Sequence, residues 1–430
     1  MNLYSFANAA DLRIASGRKF LARFREAADT FANEVKGCID PALISALSEV
    51  QTFAADTPAT RAWTNTCTQL MHEADSRDYV PSSLLISHLK LDSASVERIY
   101  ELLAWEGLGA ACSTSSLMNA YFDSPPPAVL SMGTDGSFDI GEVQQDARWH
   151  LECGSVISFS SSDGFRAHSK ANRTRYWRPN PTITSSNISA KFPIYTPALT
   201  ISHFQEFPII TSPLFVSGWQ RSLIAASDIL ASYSGGASNS VSELVTCVLP
   251  LVCGHSAVGS GSREELLGQV YLPATDALGV LTECLLHEVM HQYLFRLEEC
   301  RSIFGPETQE DARFYSPWRA DPRPLRMVFH GALVFACVAD LYLWDGAAKA
   351  FGQAAGDCVR RSYHCARQAR IALDIVSRNA SMTEIGALLF ADVEKDIGRV
   401  LESASPTRDD QAAVEEQLSN HEKLYAAYAR

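Results

Sequence analysis

Residues 278–297, with the sequence LGVLTECLLHEVMHQYLFRL, form the stretch that decides the fold of this chain. Apolar side chains dominate the stretch and no Gly or Pro follows Gly279, which predicts a buried helix. His287 and His291 lie four residues apart, so their imidazoles share one face of that helix, one turn from each other. The sequence therefore predicts a buried helix that offers two ligands to one metal ion.

Glu288 lies between the two histidines, turned by about 100° around the helix axis. Metalloproteases with the pattern HExxH use the glutamate at this position as their general base. The chain has only 11 histidines among its 430 residues. A chance pair with this spacing and this glutamate is uncommon, so the pattern favours a metal site over a purely structural helix.

His330 is the best candidate for a third ligand. The stretch around it is almost entirely apolar and predicts a buried helix that runs to about Trp344, with Pro322 and Pro324 in its first turn. A lone histidine on such a helix is more often a hydrogen-bonded core residue, but its position downstream of an HExxH helix favours ligation. Three neutral imidazoles suit zinc, iron or copper, so the ligands alone do not select the metal.

Two classes of HExxH protease place a further metal ligand downstream of the motif, and each can be tested against the residues that follow His291. A metzincin would place a glycine and a third histidine at Leu294 and Leu297, so that class is excluded. A protease with a downstream carboxylate ligand could use Glu298, Glu299 or Glu310, but these lie in a charged stretch that we expect to be solvated.

Residues 315–325, YSPWRADPRPL, place two arginines and a tryptophan between prolines just before the His330 helix. An arginine held beside a metal can bind a carboxylate through two parallel hydrogen bonds. Arg319 and Arg323 are therefore candidates for binding an acidic cosubstrate. The alternative is that they only pair with Asp321 or Asp311 at the surface.

Composition narrows the function and the compartment. Hydrophobic residues make up 47% of the chain, enough for a sizeable core, and the net charge of −13 argues against nucleic-acid binding. The eleven cysteines are scattered without any CxxC pair, which is typical of a reducing cytosol rather than of a disulfide framework. We expect no secretory signal at the N-terminus and no membrane-spanning segment. A cytoplasmic protein is predicted.

The fold class predicted is α+β, mainly helical, with a strand-rich middle section and a buried metal-binding helix pair. Composition divides the chain into an N-terminal helical region (1–123), a strand-rich region (124–240), an HExxH core (241–350) and a C-terminal helical region (351–430). Two hairpins are expected, at Asp135-Gly136 and Asp163-Gly164, among strands that cover most of residues 128–218. A helix is expected over Trp219–Tyr233. Two further strands are expected, over Val245–Val252 and over Gly268–Leu272, and Pro250 is expected to end the pairing of the first.

Together, the HExxH helix, the segment YSPWRADPRPL and a His-Gly pair at the start of a buried helix resemble the HExxH-motif family associated with gene clusters for ribosomally synthesised peptide natural products. The similarity covers about residues 245–345 and its motifs are specific over residues 287–331. The family implies Fe(II)- and 2-oxoglutarate-dependent hydroxylases that act on side-chain β-carbons of precursor peptides. For residues 1–240 and the C-terminal helices, the resemblance to this family rests on general similarity alone.

The resemblance also implies roles for single residues. Three histidines would be the iron ligands and two arginines the candidates for binding the 2-oxoglutarate carboxylate: His287, His291 and His330, and Arg319 and Arg323. Glu288 would orient a metal-bound group or the substrate. Histidine in place of the carboxylate ligand that such iron sites usually have leaves the charge of the iron less well balanced.

Two other classes of function stay open. A cytosolic zinc peptidase that acts on a peptide or a leader would use Glu288 as its base, and a non-catalytic peptide-binding protein would hold no metal. In the hydroxylase, a strand edge within residues 125–215 could bind an extended peptide. Ser256, Ser260 and Ser262 could line the pocket, and His364 and His421 are interpreted as structural. The oligomeric state is not predicted.

Overall fold

The computed structural model describes residues 8–34, 40–50, 56–74, parts of 101–192, residue 210, and residues 212–252, 259–309 and 311–428. Within these ranges the chain is mainly helical, with several small sheets in the middle of the sequence. The predicted α+β class is therefore confirmed.

The described helices begin with three near the N-terminus and continue from residue 213 to the C-terminal end. In chain order they are α1 (Ala9–Glu34), α2 (Pro41–Val50), α3 (Pro58–Ala74), α4 (Pro213–Tyr233), α5 (Gly235–Leu244), α6 (Leu278–Cys300), α7 (Leu325–Leu343), α8 (Ala347–Phe351), α9 (Ala355–Asn379), α10 (Glu384–Ser403) and α11 (Arg408–Tyr428). Residues 101–105 are also helical, whereas residues 75–100 of the predicted N-terminal helical region lie outside the described residues.

The strands of the middle section and of the core form four small sheets, with orders β1-β4-β5-β6, β2-β3-β7, β11-β12-β10-β9-β8 and β13-β14. Their bounds are β1 (Met118–Phe122), β2 (Val129–Met132), β3 (Gly136–Asp139), β4 (Trp149–Cys153), β5 (Ser158–Ser161), β6 (Arg166–His168), β7 (Trp177–Pro179), β8 (Thr182–Thr184), β9 (Ser189–Lys191), β10 (Cys247–Leu251), β11 (Gly261–Ser262), β12 (Gln269–Pro273), β13 (Arg313–Ser316) and β14 (Arg319–Pro324).

Two predicted hairpins are confirmed by antiparallel pairing on either side of their turns. Met132 lies opposite Gly136 in the β2–β3 pair, and Ser160 lies opposite Arg166 in the β5–β6 pair. The turn residues 133–135 and 163–165 are outside the described ranges. The prediction that strands continue to residue 218 is wrong at its end, because α4 already begins at Pro213, where proline suits the first turn of a helix.

Strands β10 and β12 are parallel, wholly buried and central to the sheet that precedes α6. The prediction that Pro250 ends the pairing is wrong, since Pro250 lies opposite Leu272. The N–H of Cys247 donates toward β12, to the carbonyl of Gly268. Pro250, three residues later, faces the opposite side because backbone groups alternate along a strand. Its missing N–H therefore breaks no bond to β12.

The helix pair predicted to bind a metal consists of α6 and α7, which pack in the main hydrophobic core together with α4, β10 and β12. Helix α6 matches its prediction, but α7 starts only at Leu325. Pro322 lies instead in strand β14 of a two-stranded hairpin. An edge strand tolerates proline because its outer N–H groups need no partner. The expected helix start is therefore wrong by one turn.

Helix α7 is the one described helix that is long and apolar enough to cross a membrane by length and composition, yet 78% of the relevant window is buried inside the protein. It packs against α6, α9 and α10 as a core helix. This burial is consistent with a soluble protein. No disulfide joins the cysteines that the structure describes.

A buried ion network ties the end of α6 to the N-terminal helices. Arg296 is 2% exposed and donates to Asp56 Oδ2 at 2.9 Å and to Ser16 Oγ at 3.1 Å. Arg61 donates both to Asp56 Oδ2 and to Glu299 Oε2, at 3.1 Å each. Burial alone raises the pKa of Asp56, but Arg61 and Arg296 outweigh it and hold the pKa below its ordinary value. The network thus fixes how α6 sits against α1 and α3.

Candidate metal centre

The structure brings the three predicted histidines together. The ring centres of His287 and His291 are 4.9 Å apart on α6, and those of His291 and His330 are 5.8 Å apart across the α6–α7 contact. Two imidazoles that bind one ion at about 2.1 Å have ring centres roughly 5 Å apart. The first distance fits this value, and the second is somewhat longer.

The donor atoms of these rings also fit a metal ion. Nδ1 of His291 and Nδ1 of His330 are buried and have no hydrogen-bond partner among the described residues. Burial, reinforced by the neighbouring His287 and His330, lowers the pKa of His291 well below its usual value, so the ring is neutral and keeps a lone pair. No three His, Cys, Asp or Glu side chains in the described ranges are already close enough to enclose an ion. Closing the site requires the His330 ring to move toward the α6 pair.

Aromatic side chains surround the histidines. His287 lies edge-on to Phe335 at 5.2 Å, and Phe335 stacks on Trp318 at 4.8 Å. Phe295 contacts both His291 and His330, at 5.9 Å and 5.3 Å between ring centres. These rings line the cluster with apolar surface, while the His287 side chain is 23% exposed. Electrostatic interactions are stronger beside such apolar surface than in water.

Glu288 is buried at the same place. Its side chain is 2% exposed, its Oε1 accepts a hydrogen bond from Ser260 Oγ at 2.6 Å and lies 3.9 Å from His287 Nε2. Burial raises the pKa of Glu288, while His287, Ser260 and Ser262 act in the opposite direction. Ser260 therefore contacts the site as expected, whereas Ser256 lies outside the described residues.

Glu298 contradicts the expectation of a solvated stretch after the HExxH motif. Its side chain is 12% exposed, and its Oε2 lies 3.0 Å from His330 Nε2. Burial raises the pKa of Glu298, but His330 and Arg326 outweigh burial and hold the pKa at about 2. Glu299 is also largely enclosed, in the ion network with Arg61. The solvated interpretation is wrong for both residues, and Glu310 is outside the described ranges.

The two predicted arginines lie on β14 and share one carboxylate. Arg319 Nε is 2.8 Å from Asp321 Oδ1, and Arg323 Nε is 2.9 Å from Asp321 Oδ2. The Arg319 side chain is 54% exposed and that of Arg323 is 30% exposed. The alternative pairing with Asp321 is thus present. Neither arginine contacts a histidine of the cluster in any contact that the structure describes.

No protein-family model matches this chain, and no curated protein matches it. The resemblance to the HExxH-motif family consequently rests on the motifs of the sequence.

Sequence reasoning missed Arg326, which lies beside the cluster. Arg326 Nε and Nη2 donate to Glu298 Oε2 at 2.8 Å and 2.6 Å, and its guanidinium lies over Phe295. The spacing contained a signal, because Arg326 precedes His330 by four residues and so shares its helix face. Glu298 follows His291 by seven residues, two turns along α6 on the same face.

Proposed function

We propose that this chain is a non-haem Fe(II)- and 2-oxoglutarate-dependent oxygenase that hydroxylates a side-chain β-carbon of a ribosomally synthesised precursor peptide. The observation that carries the proposal is the convergence of three imidazoles from two packed helices, with buried and unpartnered ring nitrogens. Bound Fe(II) would couple conversion of the substrate C–H to C–OH, with dioxygen, to the conversion of 2-oxoglutarate into succinate and CO₂.

Different residues of the chain would hold the metal ion, bind the cosubstrate and orient the substrate. His287, His291 and His330 would hold the ion, as neutral imidazoles do. Arg319 and Arg323 are the candidates for the 2-oxoglutarate carboxylate, which would replace Asp321 as their partner. The buried aromatic rings would keep water from the reacting centre, and Glu288 would orient the substrate or a metal-bound group.

The substrate and location follow from the same proposal. A precursor peptide made on the ribosome meets the enzyme in the cytoplasm, where buried thiols such as Cys337 and Cys365 stay reduced. Strand β1 lies just before residues 125–215, the range in which a peptide-binding edge was predicted. It is an outer strand of its sheet and carries Tyr121, which is 54% exposed and stacks on His150 at 4.3 Å. An extended peptide could pair with such an edge. Tyr121→Ala would then weaken peptide binding, measured by fluorescence anisotropy.

The test uses the full chain, purified without oxygen and loaded with Fe(II). We expect about one iron per chain and oxygen-dependent formation of succinate from 2-oxoglutarate. His287→Ala and His330→Ala should lose both, whereas His364→Ala, in α9, should keep both. Mass spectrometry of a co-expressed precursor peptide should show a gain of one oxygen atom. A chain without bound iron and without succinate formation would refute the proposal.

The burial of Glu288 beside His287 favours a second candidate function, that of a cytosolic zinc peptidase. A buried carboxyl with a raised pKa next to a metal ligand is suited to act as a general base. The peptidase would carry zinc, cleave a peptide without 2-oxoglutarate and lose activity in Glu288→Gln. Loss of residues from the co-expressed peptide, rather than a gain of oxygen, would favour this function. A chain that binds the peptide but no metal would be a non-catalytic binding protein.

A further inference from the structure

We infer that Glu298 is a positioning residue that fixes the tautomer of His330, so that this ring presents Nδ1 to the metal ion. The inference rests on the proposed metal centre and deepens it. It starts from the 3.0 Å distance between His330 Nε2 and Glu298 Oε2. The same oxygen accepts hydrogen bonds from the guanidinium of Arg326, and a carboxylate oxygen paired in this way acts as an acceptor, so Nε2 must carry the proton in this contact.

The other nitrogen of the ring is then available. A neutral imidazole has one N–H, so a proton on Nε2 leaves the lone pair on Nδ1. Nδ1 of His330 is buried, the residue is 0% exposed, and this atom has no hydrogen-bond partner among the described residues. The ring faces His291 at 5.8 Å between centres. The lone pair thus belongs to a ring that already lies beside the histidine pair of α6.

Glu298 Oε2 has little room to be a metal ligand itself. The same oxygen accepts from Arg326 Nε at 2.8 Å and from Arg326 Nη2 at 2.6 Å, in addition to His330. A cation between Glu298 and His330 would lie directly against the guanidinium, and like charges repel. The three donors around one oxygen instead indicate a fixed hydrogen-bond acceptor behind the ring.

The contact between Glu298 and His330 would help to balance the positive charge of an ion that three neutral imidazoles hold. Carboxylates that accept a hydrogen bond from a ligating histidine orient the ring and raise its basicity. Glu298 would therefore supply, through the His330 ring, part of the negative charge that a directly bound carboxylate supplies in other iron sites. Arg326 also pairs with Glu264 at 2.6 Å, so Glu264 lies on the outer side of the same network.

The first experiment reads the tautomer without relying on catalysis. Nitrogen NMR of the full chain with labelled histidines, with His330 assigned by its loss in His330→Gln, should show a proton on Nε2 in the metal-free protein. After addition of Zn(II) alone, Nδ1 should show the shift of a coordinated nitrogen while Nε2 keeps its proton. A proton on Nδ1, a doubly protonated ring or zinc on Nε2 would overturn the inference.

The second experiment measures metal affinity by Co(II) titration of the full chain. Glu298→Gln should weaken Co(II) binding by about 10- to 100-fold, as is typical for residues behind a ligand. Glu264→Gln is the matched control, because it removes the same charge next to Arg326 without touching His330. It should bind Co(II) within about threefold of the unaltered chain. Equal affinities in the two variants would contradict the role of Glu298.

The outcomes separate this inference from the proposed function. Co(II) binding that depends on Glu298, in a chain that forms no succinate, would refute the oxygenase and leave the positioning role intact. Succinate formation by a chain whose His330 shows zinc on Nε2 would do the reverse.

Discussion

Gly331, next to His330 in helix α7, is a position where one added carbon should disturb the proposed metal centre. A Cβ at this residue would lie 2.4 Å from Cζ3 and 2.8 Å from Cε3 of Trp318. Ordinary carbon–carbon contacts are about 3.5–4.0 Å, so the ring would have to move by roughly 1 Å. Trp318 cannot do so freely because it stacks on Phe335 at 4.8 Å with an interplanar angle of 16°.

The size of the effect follows from two opposing contributions. Overpacking of a well-packed site costs about 1–3 kcal/mol, and replacing a helical glycine by alanine returns about 1 kcal/mol. Gly331→Ala should therefore lower the free energy of unfolding by up to about 2 kcal/mol. Co(II) affinity should fall as well, because His330 is the adjacent residue. Urea unfolding followed by tryptophan fluorescence measures the first quantity and Co(II) titration the second.

Gly356 in α9 is the matched control. A Cβ there meets nothing within 4 Å, so Gly356→Ala should stabilise the protein by up to about 1 kcal/mol. Trp318→Leu should make Gly331→Ala tolerable, since coupled neighbours give non-additive effects. The reasoning is refuted if Gly331→Ala is as stable as Gly356→Ala and binds Co(II) unchanged.

Other expected outcomes concern stability, acid sensitivity and cosubstrate binding. Asp56→Asn should lower the free energy of unfolding by about 3–5 kcal/mol in urea, because it leaves buried guanidiniums undercompensated, whereas Arg13→Ala, at an exposed pair, should cost about 0–1 kcal/mol. Since the pKa of Asp56 is lowered in the folded protein, its contribution is complete above about pH 4 and is lost as the pH falls through the folded pKa. An acid unfolding curve of Asp56→Asn as steep as that of the unaltered chain would contradict this assignment. Gly386→Ala places a Cβ 2.0 Å from the carbonyl oxygen of Ile303, and it should lower the Tm more than Gly331→Ala; an unchanged Tm would be incompatible with this contact. Asp321→Asn removes the partner of both β14 arginines and should tighten 2-oxoglutarate binding by calorimetry, and unchanged affinity would exclude those arginines from the site.

Sequence patterns predicted best the helices and strands whose structure depends on residues within a single segment. Helix α6 begins at the predicted Leu278 and ends at Cys300, three residues after the predicted end, because its apolar residues and the absence of Gly and Pro act within a single segment. The helix face shared by His287 and His291 follows from the same geometry. Strand β14 was missed because Pro322 suits both a first helical turn and an edge strand. Only pairing with β13, a tertiary contact, distinguishes the two.

The site residues that sequence reasoning missed are those whose environment comes from another element. Glu298 belongs to a charged stretch, and its burial becomes acceptable only through Arg326 and His330 on the next helix. Likewise Pro250 could continue its strand, because its backbone nitrogen, which carries no hydrogen, faces away from β12. Charge and proline are local signals for solvent and for strand ends, and both were overridden by neighbours distant in sequence.

The ion network at the end of α6 limits how this protein can be cut into pieces. Arg296 and Glu299 stand on the helix that carries the histidines, but Ser16, Asp56 and Arg61 all come from the first 61 residues. A fragment that starts at residue 241 would remove the charged partners of Arg296 and Glu299 and expose both side chains to solvent. Any shortened version intended to retain the proposed metal centre must therefore keep α1, Asp56 and α3, which hold α6 in place.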